Sequence, residues 1–166
     1  MRSPMLLSMA VFLAIAPASA RDSLGIFEGW GAFRDSPASQ NGPRCYAIAR
    51  AVMRADRKTG AFAAVGTWPG KGVRGQLHLR LSRARSLRAP VTLGVGERRF
   101  TLVAGQQDAW GQDTRADAAI VAAMRSSASM SVQTIDTQGR AFADSYALRG
   151  AATAMDAAAL GCARLR

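Results

Sequence analysis

Alternating hydrophobic and polar residues mark the centre of the chain. In residues 76–82 every second position is leucine, and the positions between the leucines are polar. Successive side chains of a β-strand point to opposite faces, so a period of two is typical of a strand with one face in the core. The pattern predicts a half-buried strand over residues 76–82.

Six other short segments have the apolar and aromatic composition of strands. Two turn sequences, Gly96-Glu97 and residues 137–140, each separate a pair of these segments and predict two hairpins. Glycine, proline and polar residues predict loops over residues 36–43 and 67–75. The six predicted strands cover residues 27–33, 45–48, 91–95, 98–103, 130–135 and 142–148.

Two segments have the pattern of α-helices. The first begins at a cap provided by Asp113 or Thr114 and runs to about Ser126, with Asp117 at the spacing of a capping box. The second, over residues 151–160, is rich in alanine and leads to Cys162. Because strands do not alternate regularly with helices, we predict a mainly β fold. It would be an antiparallel β-sandwich or open barrel of about seven to eight strands with two helices.

The first 20 residues have the organisation of a cleavable secretory signal peptide. Arg2 precedes an apolar run over residues 5–16, and Ala18-Ser19-Ala20 forms a small-residue cleavage site. The run is shorter than the roughly 20 residues that span a bilayer, and an uncleaved anchor is the alternative. We expect residues 21–166 to form one exported domain without an integral membrane span. The periplasm is its expected location, and secretion or surface display are the alternatives.

The chain has two cysteines, Cys45 and Cys162. In an exported protein such a pair most simply forms a disulfide, whereas a metal site would need more ligands than these two and His78. The bond would close a long loop, for which the chain-entropy model gives up to about 4–5 kcal/mol of stabilisation. We predict a Cys45–Cys162 disulfide, and neither a metal nor a cofactor.

Positive charge is concentrated in residues 44–99, where 13 Lys and Arg residues stand against 2 acidic ones. Such a field attracts polyanions, which outside the cytoplasm are lipopolysaccharide, anionic phospholipid headgroups and acidic polysaccharide. Nucleic acid is not expected, because no recognition motif is present and export removes the usual target. The alternative is a GC-rich genome, because 20 of the 22 basic residues are arginine. The candidate contacts with an anionic surface are Arg74, Arg80, Arg83, Arg85, Arg88, Arg98, Arg99 and Trp68.

Two tryptophans have different expected roles. Trp30 is expected in the core because large aromatic residues are mostly buried. Trp68 lies in a predicted loop beside Lys71 and Arg74. Packing over the edge of the core is the favoured interpretation, and the alternative is an exposed ring that contacts a glycan or a membrane interface.

No catalytic pattern is recognisable. His78, the only histidine, lies on the polar face of its predicted strand, where a solvated residue is expected. The chain has no Gly-x-Ser-x-Gly motif to supply a nucleophile, and no spacing pairs Glu28, Asp108 and Asp113. We therefore predict a protein that is not an enzyme.

Several short motifs, in their order along the chain, resemble the invasion-associated locus B family of alphaproteobacterial exported proteins. The resemblance covers most of the chain after the signal peptide, and its motifs are structural rather than catalytic. The motifs are Gly29-Trp30, Cys45-Tyr46-Ala47-Ile48, residues 91–96, residues 99–102, Asp108-Ala109-Trp110, residues 117–125 and residues 150–158.

The resemblance implies a periplasmic or surface domain that is similar to a β-sandwich. It transfers no functional residue, because the family has no catalytic motif to match. Some members are linked by name to host-cell entry. This chain departs from typical members because it lacks an additional internal cysteine pair and because its middle is strongly basic.

Charge, export and resemblance together favour a non-enzymatic protein of the envelope. Its partner would be an anionic envelope component or another protein, contacted through the arginine-rich part of the chain. Two alternatives stay open at this point: an unrecognised envelope hydrolase, and a secreted factor acting on host cells.

Overall fold

Antiparallel strand pairing organises the computed structural model, which describes residues 21–35, 42–52 and 60–163. Within these ranges there are ten strands, two α-helices and a short 3-10 helix over Pro69–Lys71. The strands are β1 (Arg21–Phe27), β2 (Trp30–Asp35), β3 (Cys45–Arg50), β4 (Phe62–Trp68), β5 (Val73–Arg80), β6 (Val91–Val95), β7 (Arg98–Ala104), β8 (Asp108–Trp110), β9 (Ser129–Ile135) and β10 (Ala141–Ala147). The helices are α1 (Thr114–Ser126) and α2 (Ala151–Ala163).

The strands form one sheet in the order β1-β2-β3-β4-β5-β8-β7-β6-β9-β10. The backbone N–H of Val52, just after β3, donates to the carbonyl of Ser145 in β10 at 2.7 Å. The sheet therefore curls back on itself, because β10 is the last strand of the order. This confirms a mainly β, antiparallel, sandwich-like fold with two helices, with more strands than the sequence predicted.

The period of two in the central strand is explained by the burial of one of its two faces. Leu77 and Leu79 of β5 are fully buried, whereas the alternating residues His78 and Arg80 point to the outer face of the sheet. The predicted core residue Trp30 is also fully buried, and its indole N–H donates to the carbonyl of Ala147 at 2.8 Å. The inner face of the sheet thus forms the hydrophobic core, which both helices cover.

Helix α1 begins where the sequence predicted. The side chain of Asp113 accepts a hydrogen bond from the N–H of Ala116 at 2.7 Å, which caps the helix. Asp117 does not complete a capping box. Its carboxylate instead accepts a hydrogen bond from the N–H of Leu77 at 3.1 Å, and so joins α1 to β5.

The predicted disulfide is present. Cys45 of β3 and Cys162 of α2 are bonded, with their Cα atoms 5.8 Å apart and 117 positions separating them in sequence. Helix α2 is longer than predicted, because it continues to Ala163 and contains Cys162. The disulfide therefore fixes the C-terminal end of α2 to the sheet.

Three strands, β1 among them, were not predicted, and two other predictions were wrong or incomplete. The segment predicted as one strand over residues 27–33 is split by a turn at Glu28-Gly29, where Glu28 has a left-handed φ of 54°. The alanine-rich strand β4 and the three-residue strand β8 were not predicted, because alanine and short segments carry little strand signal. The predicted loop over residues 67–75 contains the end of β4 and the start of β5.

Several predictions fall on residues outside the described ranges. These are the signal peptide over residues 1–20, most of the predicted loop over residues 36–43, and Arg54, Arg57 and Lys58 of the basic stretch. Within the described ranges, no helix combines the length and apolar character needed to cross a bilayer.

Candidate functional site

Three of the residues singled out in the sequence lie in or beside the turn between β4 and β5. Strand β4 ends at Trp68, the 3-10 helix contains Lys71, and Arg74 follows at the start of β5. Gly72 closes the turn with a φ of 66°, a conformation that favours glycine, and its N–H donates to the carbonyl of Pro69 at 3.1 Å. We refer to Trp68, Lys71 and Arg74 as the cationic hairpin tip.

The Trp68 ring lies flat over Gly66, on the outer face of the sheet. A Cβ atom at Gly66 would come within 2.7 Å of the ring, so only glycine leaves room for it. Trp68 is consequently half-buried, with part of its ring in solvent. This position agrees with packing over the edge of the core and leaves part of the ring exposed in the same turn as the two cations.

The two cations of the tip have no acidic partner among the described residues. Lys71 and Arg74 are both exposed, and neither takes part in an ion pair or side-chain hydrogen bond there. Their charge is therefore directed into solvent rather than neutralised within the fold. An uncompensated pair of this kind attracts anions, and salt screens the attraction.

An apolar groove begins on the other side of the tip. A solvent-accessible space of about 820 Å³ lies between helices α1 and α2 above the sheet. The two helices line it mainly with alanine, and Val65 of β4 lies at the floor. We refer to this space as the inter-helix groove.

Two arginines border the inter-helix groove. Arg125 of α1 donates to the carboxylate of Asp156 on α2 at 2.6 Å, and this ion pair raises the pKa of Arg125 and lowers that of Asp156. Arg74 of the tip also lines the groove and has no acid within the described part of the chain. Arg74 therefore supplies the uncompensated charge at this groove.

Other predicted contact residues are neutralised by the fold. Arg80 donates to Asp108 at 2.7 Å, and Arg83 donates to Asp136 at 3.3 Å. Both acids come from strands or turns distant in sequence. Arg80 and Arg83 therefore add little to an anion-binding field.

The prediction that Arg85 contacts an anionic surface is wrong, because Arg85 is not a surface residue. It is 7% exposed, and its guanidinium donates to four backbone carbonyl oxygens, those of Ser86, Ala89, Ala104 and Gly105. The side chain holds together the turns on either side of it. Four of the five guanidinium N–H groups are used in these bonds and the side chain is buried, so Arg85 is not available to an external anion.

The last three predicted arginines are exposed but lie apart from the tip. Arg88 is in the turn before β6, and Arg99 is on the outer face of β7. Arg98 stacks over Phe100 at 5.1 Å and donates to the carbonyl of Ala119 at 3.4 Å. The structure therefore groups Trp68 and Arg74 with Lys71, and distributes the other three elsewhere.

His78 is less solvated than the sequence suggested. Its Nε2 lies 2.9 Å from Asp108, its ring stacks on Trp110 at 5.3 Å, and its other side meets the edge of Phe62 at 5.2 Å. Within the described ranges no hydroxyl or thiol is hydrogen-bonded to His78. The contacts build a row of rings across three strands rather than a nucleophile–base pair.

The three carboxylates considered as a catalytic pair are separated. Asp108 is bound to His78 and Arg80, Asp113 caps α1, and Glu28 pairs with Arg149 at 3.5 Å. Across the described part of the chain, no group of three or more His, Cys, Asp and Glu side chains has the arrangement of a metal site.

Sequence reasoning missed the inter-helix groove. Its walls are formed largely by alanines of α1 and α2, and an alanine in such a position carries no signal of a cavity. The distance between the helix axes decides whether small side chains leave a space, and that distance follows only from the tertiary packing.

The comparison with family models agrees with this architecture. The model of the Invasion associated locus B (IalB) protein family matches residues 30–159, from the start of β2 into α2. No curated protein and no solved structure matches the chain. The match covers the hairpin tip, both groove-forming helices and most of the sheet, and it confirms the resemblance seen in the sequence. The chain belongs to the invasion associated locus B family.

Proposed function

We propose that this protein is exported and acts as a non-enzymatic binding protein of the envelope, docking on anionic lipid headgroups through the cationic hairpin tip. The observation that carries the proposal is that Lys71 and Arg74, which are exposed and have no acidic partner among the described residues, share one turn with the half-buried Trp68. Residues 1–20 and the Cys45–Cys162 disulfide support export, because structural disulfides persist in oxidising compartments.

The chemistry of the tip suits a membrane surface. A Lys or Arg near an anionic bilayer contributes about 1 kcal/mol of attraction each, and the contribution falls off within a Debye length. Tryptophan is enriched at the headgroup level, where one part of its ring meets apolar chains and another meets water. Two cations and one ring give weak, reversible docking rather than permanent anchoring.

Sedimentation with lipid vesicles tests the proposal. The disulfide-bonded chain 21–166 is expected to bind vesicles containing phosphatidylglycerol at low salt and to dissociate from them at high salt. It should not bind vesicles of phosphatidylcholine alone. The double variant Lys71→Glu, Arg74→Glu is expected to lose this binding. The control is Arg88→Glu, Arg99→Glu, which changes the net charge equally at exposed arginines away from the tip.

Two results would contradict the proposal. Equal loss of binding in both double variants would assign the effect to net charge rather than to the tip. Absence of salt-sensitive binding in the unaltered chain would overturn lipid docking and favour a protein partner instead. Fractionation of the source cells tests the location: we expect the protein in the periplasmic fraction, and recovery from the culture medium would favour the secreted alternative.

A further inference from the structure

We infer that the inter-helix groove binds one acyl chain of an anionic phospholipid, with the phosphate of that lipid at Arg74. The inference rests on the proposed function, because docking at the hairpin tip brings the groove to the lipid. It also goes further, because it assigns a binding site to a part of the molecule that surface docking does not use.

The size and lining of the groove suit an aliphatic chain. Its volume of about 820 Å³ lies within the range of ligand sites, about 300–1,000 Å³. Ala118, Val121 and Ala122 form one wall, and Met155, Ala158 and Ala159 form the other. Moving methylene groups from water to such walls is favourable by about 0.8 kcal/mol for each fully buried group.

A disulfide and an ion pair connect the helices that form the groove to the sheet and to each other. Cys162 lines the groove and is bonded to Cys45, which fixes the end of α2 to β3. The Arg125–Asp156 ion pair ties α1 to α2 beside the groove. Because the wall residues are short, neither helix fills the space with its own side chains.

Hydrogen bonding favours an acyl chain over a peptide or a sugar. The hydroxyl of Thr67, a polar group at the floor of the groove, already accepts a hydrogen bond from the N–H of Gly75 at 3.3 Å. A peptide backbone or a glycan would bring polar groups against the alanine walls, and each one that loses water there without a partner costs about 1–3 kcal/mol. An acyl chain has no such groups.

The charge at the edge selects an anionic headgroup. Arg125 is already paired with Asp156, so Arg74 offers the charge that a single phosphate would neutralise. Arg74 also belongs to the hairpin tip. One lipid molecule can therefore place its phosphate at the tip while its chain lies between the helices.

Binding of a soluble lysophospholipid tests the inference apart from vesicle docking. The probe is lysophosphatidylglycerol below its micelle concentration, and binding is followed by native mass spectrometry and calorimetry. We expect one lipid per chain, and binding weaker by about tenfold or more in Ala122→Phe, whose ring fills the groove. Thr153→Phe is the matched control, because Thr153 is exposed on α2 and does not line the groove.

A second groove-filling variant keeps the test valid if the first variant misfolds. Ala159→Phe enters the groove from the opposite wall and is expected to lose the lipid as well. Both groove-filling variants should keep the disulfide and the thermal unfolding temperature of the control. They should also keep salt-sensitive binding to anionic vesicles, because the hairpin tip is unchanged.

The outcomes separate the two proposals. Unaltered lipid binding in both groove-filling variants would overturn the groove assignment, whatever the vesicles show. Lipid binding lost in these variants, together with vesicle binding absent from every variant, would support the groove and reject docking at the tip. Concentration-dependent self-association that is abolished by Ala122→Phe would overturn the inference by identifying a second copy of the chain as the occupant.

Discussion

Asp117 and Leu77 join the first helix to the central strand of the sheet. The buried carboxylate of Asp117 accepts the N–H of Leu77 at 3.1 Å, and burial raises the pKa of Asp117. Gly111 lies directly against this carboxylate, and a Cβ atom there would collide with it. The contact orients α1 over β5 and thereby sets one wall of the inter-helix groove.

We expect Asp117→Ala to lower the free energy of unfolding by about 1–3 kcal/mol, because it leaves the buried N–H of Leu77 without an acceptor. Asp117→Asn should cost less, since the amide oxygen can still accept that hydrogen bond. Urea titration at neutral pH measures both. Equal stability of the alanine variant and the unaltered chain would contradict the structural role of this contact.

Arg85 should be far more important for stability than its exposed neighbour Arg88. Arg85→Ala removes the donor of four backbone carbonyls and is expected to destabilise the fold by about 3 kcal/mol or more. Arg88→Ala should stay within about 0.5 kcal/mol of the unaltered chain, as is usual for surface positions. Chemical unfolding of the two variants side by side checks this, and similar losses in both would show that the four carbonyls find other partners.

Asp136 should make the fold sensitive to strong acid. Backbone N–H groups of Arg140 and Gln138, with the guanidinium groups of Arg140 and Arg83, lower the pKa of Asp136 from 3.8 to about 2. An acid whose pKa is lowered on folding stabilises the folded state above its unfolded pKa. This contribution is lost as the pH falls from about 4 towards 2.

Stability measured against pH checks this expectation. Asp136→Asn should be less stable than the unaltered chain at pH 5–7, and the difference should shrink as the pH falls towards about 2. A difference that stays constant over this range would show that Asp136 acts through geometry rather than charge. The pH dependence expected from Asp117 has the opposite sign. Because its pKa is raised on folding, Asp117 stabilises the folded state at low pH, and this contribution is lost as the pH rises through the pKa of the folded state.

Tyr146 should tolerate loss of its hydroxyl. The residue is 1% exposed, its hydroxyl has no hydrogen-bond partner in the described part of the chain, and burial raises its pKa. Tyr146→Phe removes an unsatisfied buried group and is expected to leave stability unchanged or raise it by about 1 kcal/mol. Trp30→Phe is the contrast, because it breaks the bond from the indole N–H to Ala147. A clear loss in Tyr146→Phe, measured by thermal unfolding, would reveal a partner for the hydroxyl.

Local patterns were sufficient for much of the fold. The leucine alternation placed β5, because its period of two needs no distant partner to be recognised. The side chain of Asp113 marked the start of α1, since a cap acts on the next few residues alone. The cysteine pair and the export signal together predicted the disulfide. The turn at Glu28-Gly29 and strand β4 escaped detection because their signals are weak within the sequence.

The candidate site, unlike much of the fold, could be predicted from the sequence only in part. The sequence by itself determined that residues 44–99 are basic, that Trp68 and Arg74 are neighbours, and that two helices are rich in small residues. Only the tertiary structure decided that Arg74 has no acidic partner among the residues it describes, that Arg80 binds Asp108, and that Arg85 is buried and donates to backbone carbonyls. It also decided that the alanines of α1 and α2 face a shared groove. The physical reason is that the effective charge of an arginine and the space beside an alanine depend on residues far away in sequence, which folding brings within contact.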